Sequence, residues 1–296
     1  MAIEKSKYLI NKAFENAYFV PNLKNRFLKI IIKVILIRLL SLLRRANFFF
    51  TVNILHPFLF FFSFNKNNKN NFTTISAKDF SLYSDEYNKN SFLFLKDFVD
   101  INFYNKLLND FPSKKYFKHK NDPTKFYYWG FEYLSNVSKK YLNFDRKLIS
   151  NFNFIEKYYN FILSDLFCQN FKKLILNKNS EKKFSLKILS INATYADKGA
   201  FLIPHKDTAY LQSDNDELIH NCIHFIDGDD SNIEESGGTG LYLDNEFQKK
   251  VLIPSTLKNS LLVYNTKANL FHGFNFIKKN SFRKAFGFQI IEKKFN

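Results

Sequence analysis

Cysteine is scarce in this 296-residue chain: there are two, Cys168 and Cys222, far apart and in no metal-binding spacing. That excludes a disulfide framework and points to a reducing compartment. The N-terminus lacks the short charged region, apolar stretch and small-residue cleavage site of a secretory signal. No repeat of 20–50 residues is present, and no interleaved aromatic and basic motif of a known nucleic-acid module. Acidic residues are also few, 27 against 44 Lys and Arg, for a formal charge of +17. What the chain has in quantity is apolar side chain, with 46% hydrophobic residues and 38 Phe. That composition excludes a disordered chain, and the length suffices for a substantial core.

The charge is unevenly placed. Residues 1–70 hold twelve Lys and Arg against Glu4 and Glu15, whereas 205–246 hold eleven Asp and Glu against Lys206 alone. A uniform nucleic-acid surface would not be divided in this way, and no nucleic-acid partner is expected. From Phe27 to Leu43 the chain is aliphatic apart from Lys29, Lys33 and Arg38. On a helical wheel these cations, with Arg26, Arg44 and Arg45, fall within about half the circumference. Such a basic amphipathic helix suits either peripheral membrane contact through residues 27–64 or packing on the rest of the protein. Three charges within the run make it a poor transmembrane span. The expected location is cytoplasmic, with the membrane surface as an extension of it.

A polar, low-complexity stretch, Asn65–Asn71, reads as a linker. It divides an N-terminal segment, 1–70, from a helical support region, 71–183, and a β-rich region, 184–296. Within the support region Phe92–Leu95 is strand-like, Ile101–Phe111 has helical spacing stopped by Pro112, and 144–176 looks helical. Residues 113–135 are aromatic and turn-rich. From Phe184 onward the period becomes short. Runs at 184–195, 200–204, 219–226, 239–243, 250–253, 260–265, 271–277 and 283–291 alternate with Gly, Pro, Asn and Asp. The fold class expected is α+β, a jelly-roll or double-stranded β-helix core backed by helices.

The chemistry concentrates in that β region. His205 and Asp207 are two apart, so on a strand both side chains point the same way. His272, before Gly273 and after the apolar run Leu261–Tyr264, is the best candidate for a third ligand. His220 and His224 could compete, but read more simply as strand residues. Two histidines and a carboxylate can form a facial triad with three positions open, the ligand set of a non-haem Fe(II) oxygenase. Arg283 shares a strand face with Ala285, Gly287 and Gln289, opposite Phe286, Phe288 and Ile290. An Arg on such a small-residue face needs an anion.

Over residues 188–291 the sequence resembles the 2-oxoglutarate/Fe(II)-dependent dioxygenases, especially the prolyl-4-hydroxylase-like branch. The likeness is carried by Tyr195, Gly199, Phe201, Pro204, His205 and Asp207; by Cys222–Gly228; by Glu235–Leu241 with its Gly-Gly turn; and by Asn259–Tyr264 leading to His272. The resemblance implies that His205, Asp207 and His272 hold Fe(II), and that Arg283 pairs with the distal carboxylate of 2-oxoglutarate. It also implies that Tyr195 donates to this cosubstrate, that O2 is the second cosubstrate, and that ascorbate can serve as an accessory reductant. The presence of Asp207 favours hydroxylation over halogenation. Three features depart from the pattern: Tyr195 lies ten residues before His205, Thr239 stands where an acidic residue often follows Gly-Gly, and Ala285 replaces a Ser.

The expected activity is therefore oxidation of a substrate C–H bond, coupled to conversion of 2-oxoglutarate to succinate and CO2. A cupin-like metalloenzyme without 2-oxoglutarate is one rival; a non-catalytic binding or membrane-associated protein on an oxygenase scaffold is the other. The substrate, a small molecule or a peptide, is not specified. The acidic loop 227–235 reads as solvated surface or as a guide for a cationic substrate.

Overall fold

The computed structural model describes residues 75–122, 124–134, 149–176, 184–206, 219–277 and 281–294. The basic segment 27–64 and the polar linker lie outside the described residues. Among the described residues no helix is long and apolar enough to cross a membrane. Among the described residues, four α-helices, α1 (Ser84–Asn90), α2 (Ile101–Asp110), α3 (Asn153–Ile162) and α4 (Asp165–Ile175), accompany eleven strands. Side-chain caps set the helix boundaries. Asp100 accepts from the Phe103 amide at the start of α2, and Ser164 accepts from that of Phe167 at the start of α4. The residue preceding α3 offers no cap; instead Asp110, at the end of α2, accepts from the Phe154 and Ile155 amides at 2.6 and 3.1 Å. One carboxylate thus satisfies two orphan donors and ties two helices together. Where a single helical stretch was expected over 144–176, the described residues show a break at Leu163 and Ser164, between α3 and α4.

Strands occupy all eight runs expected after Phe184. They are β4 (Phe184–Ala196), β5 (Phe201–His205), β6 (Ile219–Gly228), β7 (Gly240–Tyr242), β8 (Lys250–Leu252), β9 (Ser260–Asn265), β10 (Phe271–Phe274) and β11 (Arg283–Lys294). Three earlier strands, β1 (Phe92–Leu95), β2 (Lys118–Asp122) and β3 (Lys125–Leu134), join them. The hydrogen-bonded order is β1-β9-β6-β11-β4-β3-β5-β10-β7-β8, with β2 on β3 and every pairing antiparallel. In chain order the path crosses repeatedly between the half holding β4, β6, β9 and β11 and the half holding β5, β7, β8 and β10. That alternation winds the sheet into a curled, jelly-roll-like half-barrel.

Strand alternation divides the apolar residues between two layers. Cys222 and Ile226 on β6, Leu261 and Val263 on β9, and Phe286, Phe288 and Ile290 on β11 face outward, against Phe98, Leu107, Tyr158, Phe167 and Phe171 of the helical layer. Phe225, Leu262, Tyr264 and Ala285, the intervening residues, face inward against Leu241, Val251 and Leu252 of the opposite half. The region 113–135, expected to be turn-rich, contains β3, wedged between β4 and β5. A bulge after Gly130 puts Phe131 at φ 56° and buries it in the helical layer, where its carbonyl accepts from Tyr159 at 2.5 Å. A non-glycine residue in that region carries strain that such surroundings must offset.

Candidate active site

His205 is the last residue of β5, and His272 is its register partner on β10. Their rings lie 4.3 Å apart between centroids, at 46°. The close approach depends on Gly273: a Cβ there would sit 2.6 Å from the Leu202 carbonyl oxygen and 2.8 Å from Pro204 Cα. The Nδ1 of His205 is 2.9 Å from the Ile203 carbonyl oxygen. A carbonyl can only accept, so this contact assigns the proton to Nδ1 and makes Nε2 the nitrogen able to ligate a metal. His272 is buried, with the Tyr264 ring 5.2 Å away on the facing half of the curl. Asp207 lies outside the described residues, and among the described residues no group of three His, Cys, Asp or Glu side chains gathers.

Two residues beyond His272, Phe274 lies beneath the guanidinium of Arg283, 4.3 Å from ring centroid to Cζ. Two residues of strand span roughly 7 Å, which sets the scale of the gap between the histidine pair and this cation. Arg283 opens β11 and is 4% exposed. Its Nη1 donates to the Gly237 carbonyl at 3.1 Å and to Thr239 Oγ1 at 2.5 Å, while Nε is buried with no hydrogen-bond partner. Burial pulls its pKa down from 12.5 to about 10, partly offset by Tyr127. The group therefore stays cationic at neutral pH, and among the described residues no carboxylate forms an ion pair with it. A buried cation without a paired carboxylate is the arrangement that a bound anion would satisfy.

The other anticipated residues fall elsewhere. Tyr195 pairs in register with Lys284, whereas Arg283 pairs with Ala196. Partners in register share a face, so Tyr195 lies on the opposite side of the sheet from Arg283, against Phe117 and Tyr128. Burial raises its pKa, and Asp197 adds to the rise. The structure does not bring it to the histidine pair. Tyr127 occupies that side instead, near Phe274. His220 and His224 face the helices. His220 Nε2 is 2.7 Å from Glu292, its Nδ1 hydrogen-bonds Tyr87, and His224 Nδ1 is 2.9 Å from Tyr158 Oη. The acidic loop is largely tied down. Asp230 accepts from the Leu257 amide and Thr256, Asp229 from Ser231 and Ser281, and Glu234 pairs with Lys250.

Thr239, Gly237 and Phe274 were not singled out for this role by the sequence. The Gly-Gly turn was the available signal: Gly237 takes φ 82°, which glycine adopts without strain, and aims its carbonyl at Arg283.

Neither protein-family models nor curated protein sequences match this chain. Solved structures that resemble it include prolyl hydroxylases and 2OG-Fe(II) oxygenases. A Pseudomonas putida prolyl-4-hydroxylase is 8% identical with a TM-score of 0.43, covering 74% of this chain and 100% of its own. An oxidoreductase of the 2OG-Fe(II) oxygenase family from Burkholderia pseudomallei is 10% identical, TM-score 0.47, over 73% of this chain and 92% of its own. A Trichoplax adhaerens prolyl hydroxylase, in complex with a hypoxia inducible factor peptide fragment, is 10% identical, TM-score 0.46, over 73% and 89%. Likeness at this level carries no weight beside the residues themselves.

Proposed function

We propose that this chain is a 2-oxoglutarate- and Fe(II)-dependent oxygenase, acting as a hydroxylase on a double-stranded β-helix core of residues 184–296. The region 71–183 would serve as support, contributing strands as well as helices. The observation that carries the reading is the buried, cationic Arg283 on the same inner face as the histidine pair, without a carboxylate among the described residues. A cupin-like enzyme without an acidic cosubstrate would have no use for this cation. A binding scaffold without catalysis would have no use for the paired imidazoles.

In this reading His205 and His272 hold the metal, with Asp207 as the third ligand. Arg283 holds the distal carboxylate of 2-oxoglutarate in a two-pronged, charge-assisted contact. Bound iron and cosubstrate together supply the oxidising chemistry, using O2 and releasing succinate and CO2. The protein's own part is positioning. The Ile203 carbonyl fixes the His205 tautomer, Thr239 and Gly237 aim the guanidinium, and Phe274 walls it from water. Thr239 matters here because its neutral hydroxyl orients Arg283 without neutralising it.

Anaerobic titration of the full chain with Fe(II) and then 2-oxoglutarate tests the proposal. A weak visible charge-transfer band and succinate release in uncoupled turnover are expected. Absence of both would remove the enzyme reading.

A further inference from the structure

The inner face of β4 and β11 carries a strip of uncharged hydrogen-bonding side chains that neither the metal nor the cosubstrate uses. Ser190, Asn192 and Thr194 pair in register with Gln289, Gly287 and Ala285, on the Arg283 side of the sheet. Asn221 of β6 and Tyr264 of β9 extend the strip sideways, and Trp129, register partner of Thr194, flanks it. No Asp, Glu, Lys or Arg occupies these inward positions between Ala285 and Gln289 or between Ser190 and Thr194.

The strip is ordered in one direction. Ser190 Oγ donates to Gln289 Oε1 at 3.2 Å, Gln289 Nε2 donates to Asn221 Oδ1 at 2.9 Å, and Asn221 Nδ2 donates to Tyr264 Oη at 3.0 Å. Tyr264 in turn lies against His272, so the strip leads to the candidate metal ligands. Gly287 leaves its centre low. A Cβ there would meet Asn192 Oδ1 at 3.2 Å, and both Asn192 and Gln289 are half-buried rather than sealed. The second amide N–H of Gln289 and the Asn192 amide have no hydrogen-bond partner among the described residues.

We propose that this strip binds the substrate, and that the substrate is a neutral, multiply hydroxylated molecule such as a sugar ring or a sugar-bearing compound. Amides offer donor and acceptor together, as adjacent hydroxyls require, and the Trp129 and Tyr264 rings supply apolar faces. An apolar substrate would strand these amides without partners, and a charged one would meet no charged side chain within the strip itself, Arg283 on the same face being taken by the cosubstrate. The proposal rests on the reading of His205, His272 and Arg283 as the reaction centre.

The test uses the full chain with Fe(II) and 2-oxoglutarate under anaerobic conditions, with saturation-transfer NMR as the binding readout. Methyl glucoside and N-acetylglucosamine are the neutral probes; glucosamine, glucuronate and decanol are the cationic, anionic and apolar ones. Saturable binding of a neutral probe is expected, with affinity falling about three- to tenfold for each hydrogen bond removed in Gln289→Leu and Asn192→Ala. Asn192→Ala removes an amide with no internal partner, so the result does not hinge on whether Gln289→Leu folds. Binding of a charged or apolar probe with no neutral one, failure of every probe to bind, or neutral binding unchanged in Asn192→Ala would overturn the proposal. The cosubstrate band, recorded without sugar, separates the two failures. Its absence refutes the reaction centre, and its presence without sugar binding refutes the strip.

Discussion

Replacing Arg283 with methionine separates the cost of this residue from its use. The shift of its pKa from 12.5 to about 10 means that burying the charge costs about 3 kcal/mol at neutral pH, at about 1.4 kcal/mol per pKa unit. A base with a depressed folded pKa carries that cost at every pH below about 10, and loses it as pH rises from there toward 12.5. Methionine removes the cost, but strands the Gly237 carbonyl and Thr239 hydroxyl, at about 1–3 kcal/mol. The two changes nearly cancel, so urea unfolding at pH 7 should shift by no more than about 2 kcal/mol. Breaking a compensated buried ion pair would cost about 3–5 kcal/mol instead. Cosubstrate binding has no such compensation. Two charge-assisted hydrogen bonds at about 1.5–3 kcal/mol each predict a loss of about 100- to 10,000-fold in 2-oxoglutarate affinity. Anaerobic calorimetry with Fe(II) reads it directly. Affinity within about threefold of the wild type, or a stability loss above about 4 kcal/mol, would refute the assignment of Arg283 as an uncompensated anion site.

Three further outcomes follow from the geometry. Gly273→Ala should force β5 and β10 apart, costing about 1–3 kcal/mol or more in thermal unfolding, and should weaken Fe(II) binding in competition titrations. His224 is held neutral by burial, which lowers its pKa from 6.5 to about 3, so stability falls as pH drops through that window. Between pH 7 and 5 about 2 kcal/mol should be lost, and His224→Gln should flatten the change in urea titrations at the two pH values. Tyr87→Phe should cost about 1–3 kcal/mol by leaving His220 Nδ1 without its donor, while leaving 2-oxoglutarate affinity within about twofold.

Much of the β architecture was legible because half-buried strands write their burial as alternation. On β11, Phe286, Phe288 and Ile290 against Ala285, Gly287 and Gln289 state which face meets the helices, and the structure places them so. The strand β3 was not legible for the converse reason. Phe126, Tyr127, Tyr128 and Trp129 are aromatic on both faces, so no alternation marks the strand. The break between α3 and α4 had a readable sign in Ser164 followed by Asp165, an N-cap signature that the long apolar face of 144–176 obscured. At the site, the two-residue spacing brought His205 and Asp207 forward, and His272 joined them as the best candidate on another strand and through the family resemblance; the structure makes the two histidines register partners. The role of Thr239 could not be read, because it arises where the chain entering β7 meets the start of β11, 44 residues away. Tyr195 shows the limit from the other side: one step of strand register decides the face, and a motif does not encode register.

The insertion of β3 between β4 and β5 also bears on how the molecule reaches its native state. A jelly roll whose two halves join directly could assemble from its own strands. Here the junction is a strand borrowed from earlier in the chain, and β1 closes the far edge by pairing with β9 about 170 residues later. Such long closures slow folding, since loop entropy is spent before contacts form. A chain begun at Phe184 would leave β4 and β5 with bare edges where β3 belongs, open to pairing with another molecule. Aggregation during synthesis should therefore be governed less by the eight strands from Phe184 onward than by how promptly the aromatic strand before them finds its slot.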